Sequence, residues 1–257
     1  MSTHLILVCC HAVYTGGPTK GIDEKEWLIA PFMKGEIPVF RQHCKEALSL
    51  LCCNPAPDSI IVFSGGPTRR EVPLSEAASY LALCCDNDFW KMLPEERKDS
   101  ILLEEHALDS FSNLVLGVVR YWKEVGTWPE RITIISQGFK QSRFLELHVK
   151  AMRWPISRVV FTGATPWSVG KWEGDKKRVD EIVMSEYLNG FLPWFEDPLG
   201  IGAVLQSKRQ SRNYWDVGQG LFDTSEERRR SGVRTKTVKV GDMMQEVLLD
   251  ETQPWEL

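Results

Sequence analysis

Residues 60–76 read IIVFSGGPTRREVPLSE: an apolar run, a tight polar cluster with two glycines, and the start of an amphipathic helix. The same order recurs at residues 5–17 (LILVCCHAVYTGG), 101–113 (ILLEEHALDSFSN) and 132–143 (ITIISQGFKQSR). A short, continuously apolar run is typical of a strand that is covered on both faces of a parallel sheet. Since all strands of such a sheet end on one edge, the polar clusters are predicted to meet there, where α/β proteins bind ligands.

Strands and helices are predicted to alternate along most of the chain. Strands are predicted at residues 5–10, 59–63, 101–103, 131–136 and 158–162, and helices at 39–53, 74–85, 110–125, 139–153 and 176–190. This alternation predicts an α/β fold with a doubly wound, mostly parallel sheet. After residue 197 the pattern changes to a basic helical segment, a solvated charge run at 224–231 and a small hairpin at 235–240 and 244–249.

The composition excludes several classes of protein. The chain has 257 residues with charges of both signs and a net charge of -4, which gives no footprint for a nucleic-acid backbone. The apolar run at residues 5–10 is too short for a membrane span and lacks the flanks of a signal peptide. We therefore predict a cytoplasmic protein without nucleic-acid or membrane partners. The seven cysteines have no zinc-site spacing and are predicted to be reduced thiols in the core.

The loop after the second predicted strand contains candidate ligand-binding residues. Ser64, Gly65 and Gly66 follow the strand directly, and the glycines would let backbone N–H groups approach a ligand closely. Arg69 could complete a phosphate site beside this loop. The alternative is an ordinary turn in which the glycines supply positive φ.

Carboxylates near two other strand ends are candidate acids or bases. Glu76 lies in the first turn of its helix, where the macrodipole alone would also favour a carboxylate. Asp109 or Ser110 can cap the next helix, which leaves Glu105 and Asn113 without an obvious structural task. Glu76 and Glu105 are therefore predicted to be catalytic and Asn113 to bind the ligand, with solvated surface as the alternative. Glu76 and Glu105 could hold a Mg²⁺ ion, although no acidic spacing demands one, and the sequence does not identify a cofactor.

Two basic residues and one histidine complete the candidate site. Lys140 and Arg143 are one helical turn apart at a helix start, a position that favours an anion, although an ordinary basic surface would look the same. His11 follows the first strand and is predicted to be a general acid or base or a phosphate ligand. A catalytic triad built on Ser64 or Ser136 would need His11 to be delivered from another strand.

These motifs together resemble the SanA/YdcF-like family, also known as domain of unknown function 218, and its soluble eukaryotic branch in particular. The pieces that carry the resemblance are Cys10-His11; Ser64-Gly65-Gly66 with Thr68-Arg69; Ser75-Glu76-Ala77; Glu105 with Asp109-Ser110-Phe111 and Asn113; Gly138-Phe139-Lys140 with Arg143-Phe144; His148; and Asp197-Pro198-Leu199-Gly200 followed by Lys208-Arg209 and Arg212-Asn213.

The resemblance implies a Rossmann-like three-layer α/β/α fold with a pocket at the strand ends, and it implies no particular reaction. It covers roughly residues 5–214, so we predict one domain at 1–215 and a C-terminal extension at 216–257. Bacterial members are linked to cell-envelope processes, and one binds S-adenosylmethionine. They usually have a histidine where this chain has Lys140, so that histidine's role is not carried over.

Three functions are compatible with these residues. The first is an enzyme, a hydrolase or transferase, acting on a small phosphorylated or nucleotide-like metabolite held by Arg69, Lys140 and Arg143, with Arg209 and Arg212 joining from the C-terminal segment. The second is a protein that binds a nucleotide or S-adenosylmethionine without turnover. The third is a scaffold whose polar residues only cap helices. The scaffold is disfavoured because ionisable groups of both signs rarely crowd one edge for structural reasons.

Overall fold

The computed structural model describes residues 3–53, 59–168, 174–240 and 243–257, and its centre is a parallel β-sheet. The strands are β1 (His4–Cys9), β2 (Val13–Tyr14), β3 (Trp27–Leu28), β4 (Ser59–Ser64), β5 (Ile101–Glu104), β6 (Arg131–Ile135), β7 (Val159–Thr162), β8 (Thr235–Val240) and β9 (Met243–Leu248). In this part of the chain, β5, β4, β1, β6 and β7 form the sheet in that order, and all neighbouring strands are parallel. The predicted α/β fold with a Rossmann-like parallel sheet is confirmed.

The strand order places a topological switch point between β1 and β6. The chain passes from β1 to β4 and β5 on one side, and then returns to the other side of β1 at β6. Ligands of open α/β sheets bind outside the carboxyl ends of the strands at such a point. The ends of β1 and β6 are in register, with Val8 opposite Ile135, so the residues that follow both strands emerge side by side.

Helices cover both faces of the sheet. They are α1 (Ile37–Cys53), α2 (Glu76–Asp86), α3 (Ser110–Val125), α4 (Val149–Ala151), α5 (Lys176–Glu186), α6 (Leu192–Glu196), α7 (Ala203–Gln210) and α8 (Ser225–Ser231). A π-helical turn (Arg143–His148) leads into α4, and another (Tyr187–Phe191) joins α5 to α6. No helix in the described ranges is both long and apolar enough to cross a membrane.

Alternate residues of β1 fill two separate cores, as the two-residue period of a strand requires. Leu5 and Leu7 pack with α3 on one face, whereas Ile6 and Val8 pack with α1 and α2 on the other, and all four are fully buried. Each such side chain contributes about 1.5–3 kcal/mol when it is removed from water. This double coverage explains why the strand sequence is continuously apolar.

The C-terminal segment packs against the main body. Strands β8 and β9 pair in an antiparallel hairpin, and the residues of its predicted turn, Gly241 and Asp242, lie outside the described residues. The predicted charge run contains α8, whose N-cap is Thr224. Beyond the hairpin, Trp255 is buried against Trp154 and Trp128.

Candidate functional site

The polar residues that follow β1, β4, β5 and β6 lie along one edge of the sheet, here called the rim. It comprises His11; Ser64 to Gly66 with Arg69 and Glu76; Glu104 and Glu105; and Ser136 with Lys140 and Arg143. The parallel strands carry all of these clusters to the same edge, although they are far apart in sequence. The contacts at each position determine what the rim can do chemically.

His11 lies at the switch point and joins the ends of β1 and β6. Its Nε2 is 3.2 Å from the Ser136 Oγ and its Nδ1 is 3.4 Å from the Lys140 Nζ. Burial lowers the pKa of His11 well below its ordinary value, and the charges of Lys140, His43, Arg143 and Arg212 lower it further. The ring is therefore neutral at physiological pH, so it can accept a proton or hydrogen bond but is not a charged acid.

Lys140 ends a short 3₁₀ turn (Gly138–Lys140) after β6 and is half-buried. Burial lowers the pKa of its ammonium group to about 8, and the neighbouring Arg143 adds to that effect. The carboxylates of Glu186 and Glu36 act in the opposite direction. At neutral pH Lys140 is mostly charged, but its free amine is far more accessible than that of an ordinary lysine.

Arg143 is the first residue of the π-helical turn and forms an ion pair with a carboxylate that was not predicted from the sequence. Its Nε is 3.1 Å from the Glu186 Oε1 on α5, and the side chains are 11% and 13% exposed. The pair lies directly over Gly190, where a Cβ atom would come within 2.7 Å of the Arg143 Nη1. The arginine of the predicted anion clamp is therefore partly neutralised by an internal carboxylate.

Ser64 connects the buried carboxylate of Glu104 to Asn113. The Ser64 Oγ donates to the Glu104 Oε2 at 2.5 Å and lies 3.2 Å from the Asn113 Oδ1. The other carboxylate oxygen accepts the backbone N–H groups of His106 at 2.6 Å and Ala107 at 3.1 Å. Burial raises the pKa of Glu104 to about 7 despite these donors. Ser64 and Asn113 thus form a polar network beneath the rim.

The Gly65-Gly66 loop is bonded to the protein on both sides. The N–H of Gly65 donates to the Glu104 carbonyl at 3.0 Å, and that of Gly66 donates to the Ala107 carbonyl at 2.7 Å. A Cβ atom on Gly66 would lie 3.0 Å from the Ala107 oxygen. Neither glycine has positive φ, so the expectation of a positive-φ turn is wrong. The chain after β5 leaves no room for a Cβ atom at Gly66, and the side chains of Glu76 and Cys10 leave none at Gly65. The Glu104 and Ala107 carbonyls accept the N–H groups that were expected to face a ligand.

Glu76 and Arg69 lie on the β4 side of the rim. Glu76 is 7% exposed, and its Oε1 accepts a hydrogen bond from Thr68. Burial raises the pKa of Glu76, while the Thr68 hydroxyl and the charges of Arg69, Arg212 and Lys140 offset part of that rise. Since Lys140 and Arg212 act on both His11 and Glu76, the two halves of the rim share one electrostatic environment.

Glu105 is exposed, in contrast to its neighbour Glu104. Its Oε1 accepts the Ser75 hydroxyl at 2.7 Å, which links it to the cap of α2. The two carboxylates are adjacent in the sequence at the end of β5, but only Glu105 was predicted to be a site residue. Glu104 is opposite Ser64 in the sheet register, and the alternation along β5 turns it inward. That alternation was the signal that could have identified Glu104.

The two arginines from the C-terminal segment have different surroundings. The Arg209 Nε pairs with the Asp109 Oδ2 at 2.7 Å, and both side chains are at most 10% exposed. Asp109 is also the N-cap of α3, so this ion pair fastens α7 to α3. A ligand role for Arg209 would require the pair to open. Arg212 is exposed and donates to the Leu108 carbonyl at 3.0 Å.

Two buried polar residues near His11 were not identified from the sequence. Glu36, which precedes α1, accepts a hydrogen bond from Gln137, and burial raises its pKa. His43 on α1 lies with its ring 5.9 Å from that of His11, and burial lowers its pKa to about 3. A polar residue on the apolar face of α1 was the available signal for His43.

The six cysteines whose side chains the structure describes fall into two groups. Cys9, Cys10, Cys44 and Cys84 are buried and free, and burial raises the pKa of Cys9 to about 12. Cys52 and Cys85 are exposed, which corrects the prediction that the cysteines are core residues. Their helices turn these positions outward, whereas Cys44 and Cys84 lie on the faces that contact the sheet.

Two cavities lie away from the rim. A cavity of about 40 Å³ lies between α3 and the β8–β9 hairpin, and an open groove of about 810 Å³ runs along α5. The described residues contain no group of three or more His, Cys, Asp or Glu side chains placed to hold a metal ion. The candidate site is therefore defined by the chemistry and topology of the rim.

Comparison with known proteins found one relative along nearly the whole chain. The uncharacterized protein YOR238W of Saccharomyces cerevisiae is 26% identical over 276 residues, which cover 89% of this chain and 91% of the yeast protein. No family model matches the sequence, and no solved structure matches it. Because the yeast protein is uncharacterized, the function is inferred from the residues of the rim.

Proposed function

We propose that this protein is an enzyme acting on a small anionic metabolite, phosphorylated or nucleotide-like, that binds at the rim. The observation that carries the proposal is a pair of cations, Lys140 and Arg212, that lack an ion-pair partner in the described part of the chain and act on a neutral histidine at the switch point. Among the described residues, neither Lys140 nor Arg212 forms an ion pair with a carboxylate, and both lower the pKa of the buried His11. Positive charge of this kind, partly removed from water, favours an anionic ligand.

In this proposal some residues of the rim bind the ligand and others transfer protons. Arg143 would grip two oxygens of a phosphate or carboxylate, and Lys140, Arg69 and Arg212 would add charge around them. His11, neutral at physiological pH, would accept a proton. The carboxylates of Glu76 and Glu105 would bind hydroxyl groups or exchange protons. A hydrolase or transferase is the reaction class that fits these roles.

A second candidate function is binding without turnover, with a nucleotide or S-adenosylmethionine as ligand. It is favoured by the contacts of His11, whose two ring nitrogens already have partners within the protein. We also propose membership of the SanA/YdcF-like family on the motifs quoted above. A cytoplasmic location is proposed because the buried Cys9, Cys10, Cys44 and Cys84 are free thiols, as is usual in reducing compartments.

The anion site is tested by titrating phosphate, pyrophosphate and a panel of nucleotides and sugar phosphates into the protein by calorimetry. Arg143→Ala should weaken binding by about 2–5 kcal/mol because a hydrogen-bonded charge in the site is lost. Lys140→Ala should weaken it less, since an ammonium offers only a mobile point charge. Each ligand that binds is then assayed for turnover, which separates the enzyme from the binding protein.

The controls address folding. Arg230→Ala removes an exposed arginine on α8 and should leave binding unchanged. The double variant Arg143→Ala/Glu186→Ala removes the whole ion pair, so no buried carboxylate is left unpaired. If both Arg143 variants bind phosphate like the parent at matched melting temperatures, the anion site is not at Arg143.

A further inference from the structure

The surroundings of Lys140 differ from those of an ordinary surface lysine. The charged and titratable groups that act on it are His11 and Cys9 at the end of β1, Glu36 before α1, His43 on α1, Glu76 at the start of α2, Arg143 on the π-helical turn and Glu186 on α5. The three carboxylates are already engaged, because Glu36 accepts from Gln137, Glu76 accepts from Thr68 and Glu186 pairs with Arg143. Within the described ranges, Lys140 has no ion-pair partner of its own.

The neighbour that contacts Lys140 is a base. The His11 Nδ1 lies 3.4 Å from the Nζ, and the Ser136 Oγ near Nε2 holds the ring in place. A partly buried amine beside a second cation and next to a neutral imidazole is the setting in which enzymes use lysine as a nucleophile. Its proton can pass to the imidazole and return at a later step.

We propose that Lys140 forms a Schiff base with the carbonyl carbon of an aldehyde or ketone substrate. This inference rests on the proposed anion site, which would supply a substrate bearing a phosphate or carboxylate beside Arg143. It narrows the substrate class to carbonyl compounds with an anionic group.

The chemistry balances without any further reactant. The Lys140 ammonium first gives one proton to His11, and the free amine then adds to the carbonyl carbon. A second proton passes from the nitrogen to the former carbonyl oxygen, which gives a carbinolamine. The His11 imidazolium returns its proton to the carbinolamine hydroxyl, which leaves as water while the nitrogen lone pair forms the C=N bond. The product is a protonated imine, and its positive charge can stabilise a carbanion that develops on the adjacent carbon.

The test is reductive trapping on the intact protein. The chain is incubated with glyceraldehyde 3-phosphate or with neutral glyceraldehyde in the presence of cyanoborohydride, and the adducts are located by peptide mass spectrometry. Because its pKa is about 8, we expect Lys140 to be modified at least about tenfold faster than the exposed Lys150 at pH 7.5. The rate at Lys140 should rise as the pH increases through about 8.

Matched variants identify the amine. Lys140→Arg keeps the positive charge and removes the nucleophile, so it should bind phosphate but give no adduct at this position. Lys150→Arg should leave trapping at Lys140 unchanged. His11→Gln should slow trapping if the imidazole moves the proton.

The outcomes separate this inference from the proposed function. Faster trapping of the phosphorylated aldehyde, with protection by inorganic phosphate, supports both. Equal trapping of the two aldehydes at Lys140 without protection supports the Schiff base and overturns the anion site. Phosphate binding that depends on Arg143, together with modification of Lys140 no faster than Lys150, overturns the Schiff base and leaves the anion site standing.

Discussion

Glu104 combines full burial with a complete set of hydrogen-bond donors. The Ser64 hydroxyl and two backbone N–H groups favour its charged form, but burial opposes ionisation more strongly. In water-excluded surroundings three donors do not fully replace hydration. The residue therefore changes charge near neutral pH, and it is a buried member of the rim.

A pH dependence of stability follows from Glu104. Its pKa is about 7 in the folded protein against 4.5 ordinarily, so the folded state holds the extra proton between these values. This stabilisation is fully present below pH 4.5 and is lost as the pH rises to 7, a change of about 3 kcal/mol. In urea unfolding across this range, the parent should lose about 3 kcal/mol of unfolding free energy relative to Glu104→Gln as the pH increases, because the neutral amide does not titrate.

The exposed Glu105 provides the matched control for that experiment. Glu105→Gln should follow the parent across the whole range, because its carboxylate is solvated. A constant difference between the parent and Glu104→Gln would mean that Glu104 titrates in the folded protein as it does in water.

The sequence predicted which residues would reach the rim but not how their side chains would be engaged. His11, Glu76 and Lys140 each follow a recognisable strand, so topology alone places them on one edge. Their partners come from elsewhere: Glu186 arrives from α5 and Glu36 from the loop before α1. Such contacts depend on the angles at which helices pack, and the spacing of apolar residues does not contain that information.

At the level of elements, α5 is the helix that determines the state of Arg143. Within the described ranges, α5 buries none of its residues, and apolar side chains such as Val183 and Met184 are exposed. Its Glu186 nevertheless reaches the Arg143 guanidinium. Because α5 is weakly packed, Glu186 can move away from Arg143 more easily than a carboxylate on a helix fixed in the core could.

Glu186 should therefore compete with an anionic ligand for Arg143. We expect Glu186→Gln to raise phosphate affinity roughly fivefold or more, since the competing charge is removed. Without phosphate the variant should melt at a lower temperature, because a mostly buried arginine has lost its partner. Calorimetric titration and differential scanning calorimetry measure the two effects.

Glu196→Gln alters an exposed carboxylate on α6 and serves as the control. It should change neither phosphate affinity nor melting temperature. If Glu186→Gln binds phosphate no more tightly than the parent, a ligand anion does not occupy the position that Glu186 now takes.

In the segment after β6, the sequence pattern predicted a helix but not its type. One helix was predicted at residues 139–153, but the structure has a 3₁₀ turn, a π-helical turn and then α4. The apolar spacing of a π-helical turn differs from that of an α-helix by a single residue per turn, which a short segment does not resolve. π-helical turns are frequent at functional sites, and this one begins at Arg143.

At the scale of the whole molecule, the two edges of the sheet have different roles. The rim at the carboxyl ends carries the ionisable groups, whereas the opposite edge is closed by tryptophans. Trp128 precedes β6 and Trp154 precedes β7, and the ring of Trp255 packs against both. The strand alternation predicted the sheet and its rim, but it gave no sign that residues from the C-terminal segment would close the other edge.

Trp255 is accordingly expected to support stability without affecting the rim. Its ring stacks on Trp154 with centroids 5.1 Å apart, its Nε1 donates to the Met152 carbonyl at 2.9 Å, and it is 3% exposed. Trp255→Ala should lower the free energy of unfolding by about 3–5 kcal/mol, as truncation of a buried aromatic side chain does. Urea titration followed by tryptophan fluorescence measures the loss.

The same variant tests whether the two edges are independent. At temperatures where Trp255→Ala is folded, its phosphate affinity should equal that of the parent, because the tryptophan lies across the sheet from Arg143. Leu257→Ala removes a side chain that is 95% exposed and should change neither property. An unchanged unfolding midpoint for Trp255→Ala would show that the C-terminal segment is not packed in solution, whereas lost phosphate binding in the folded variant would show that the sheet transmits changes from one edge to the other.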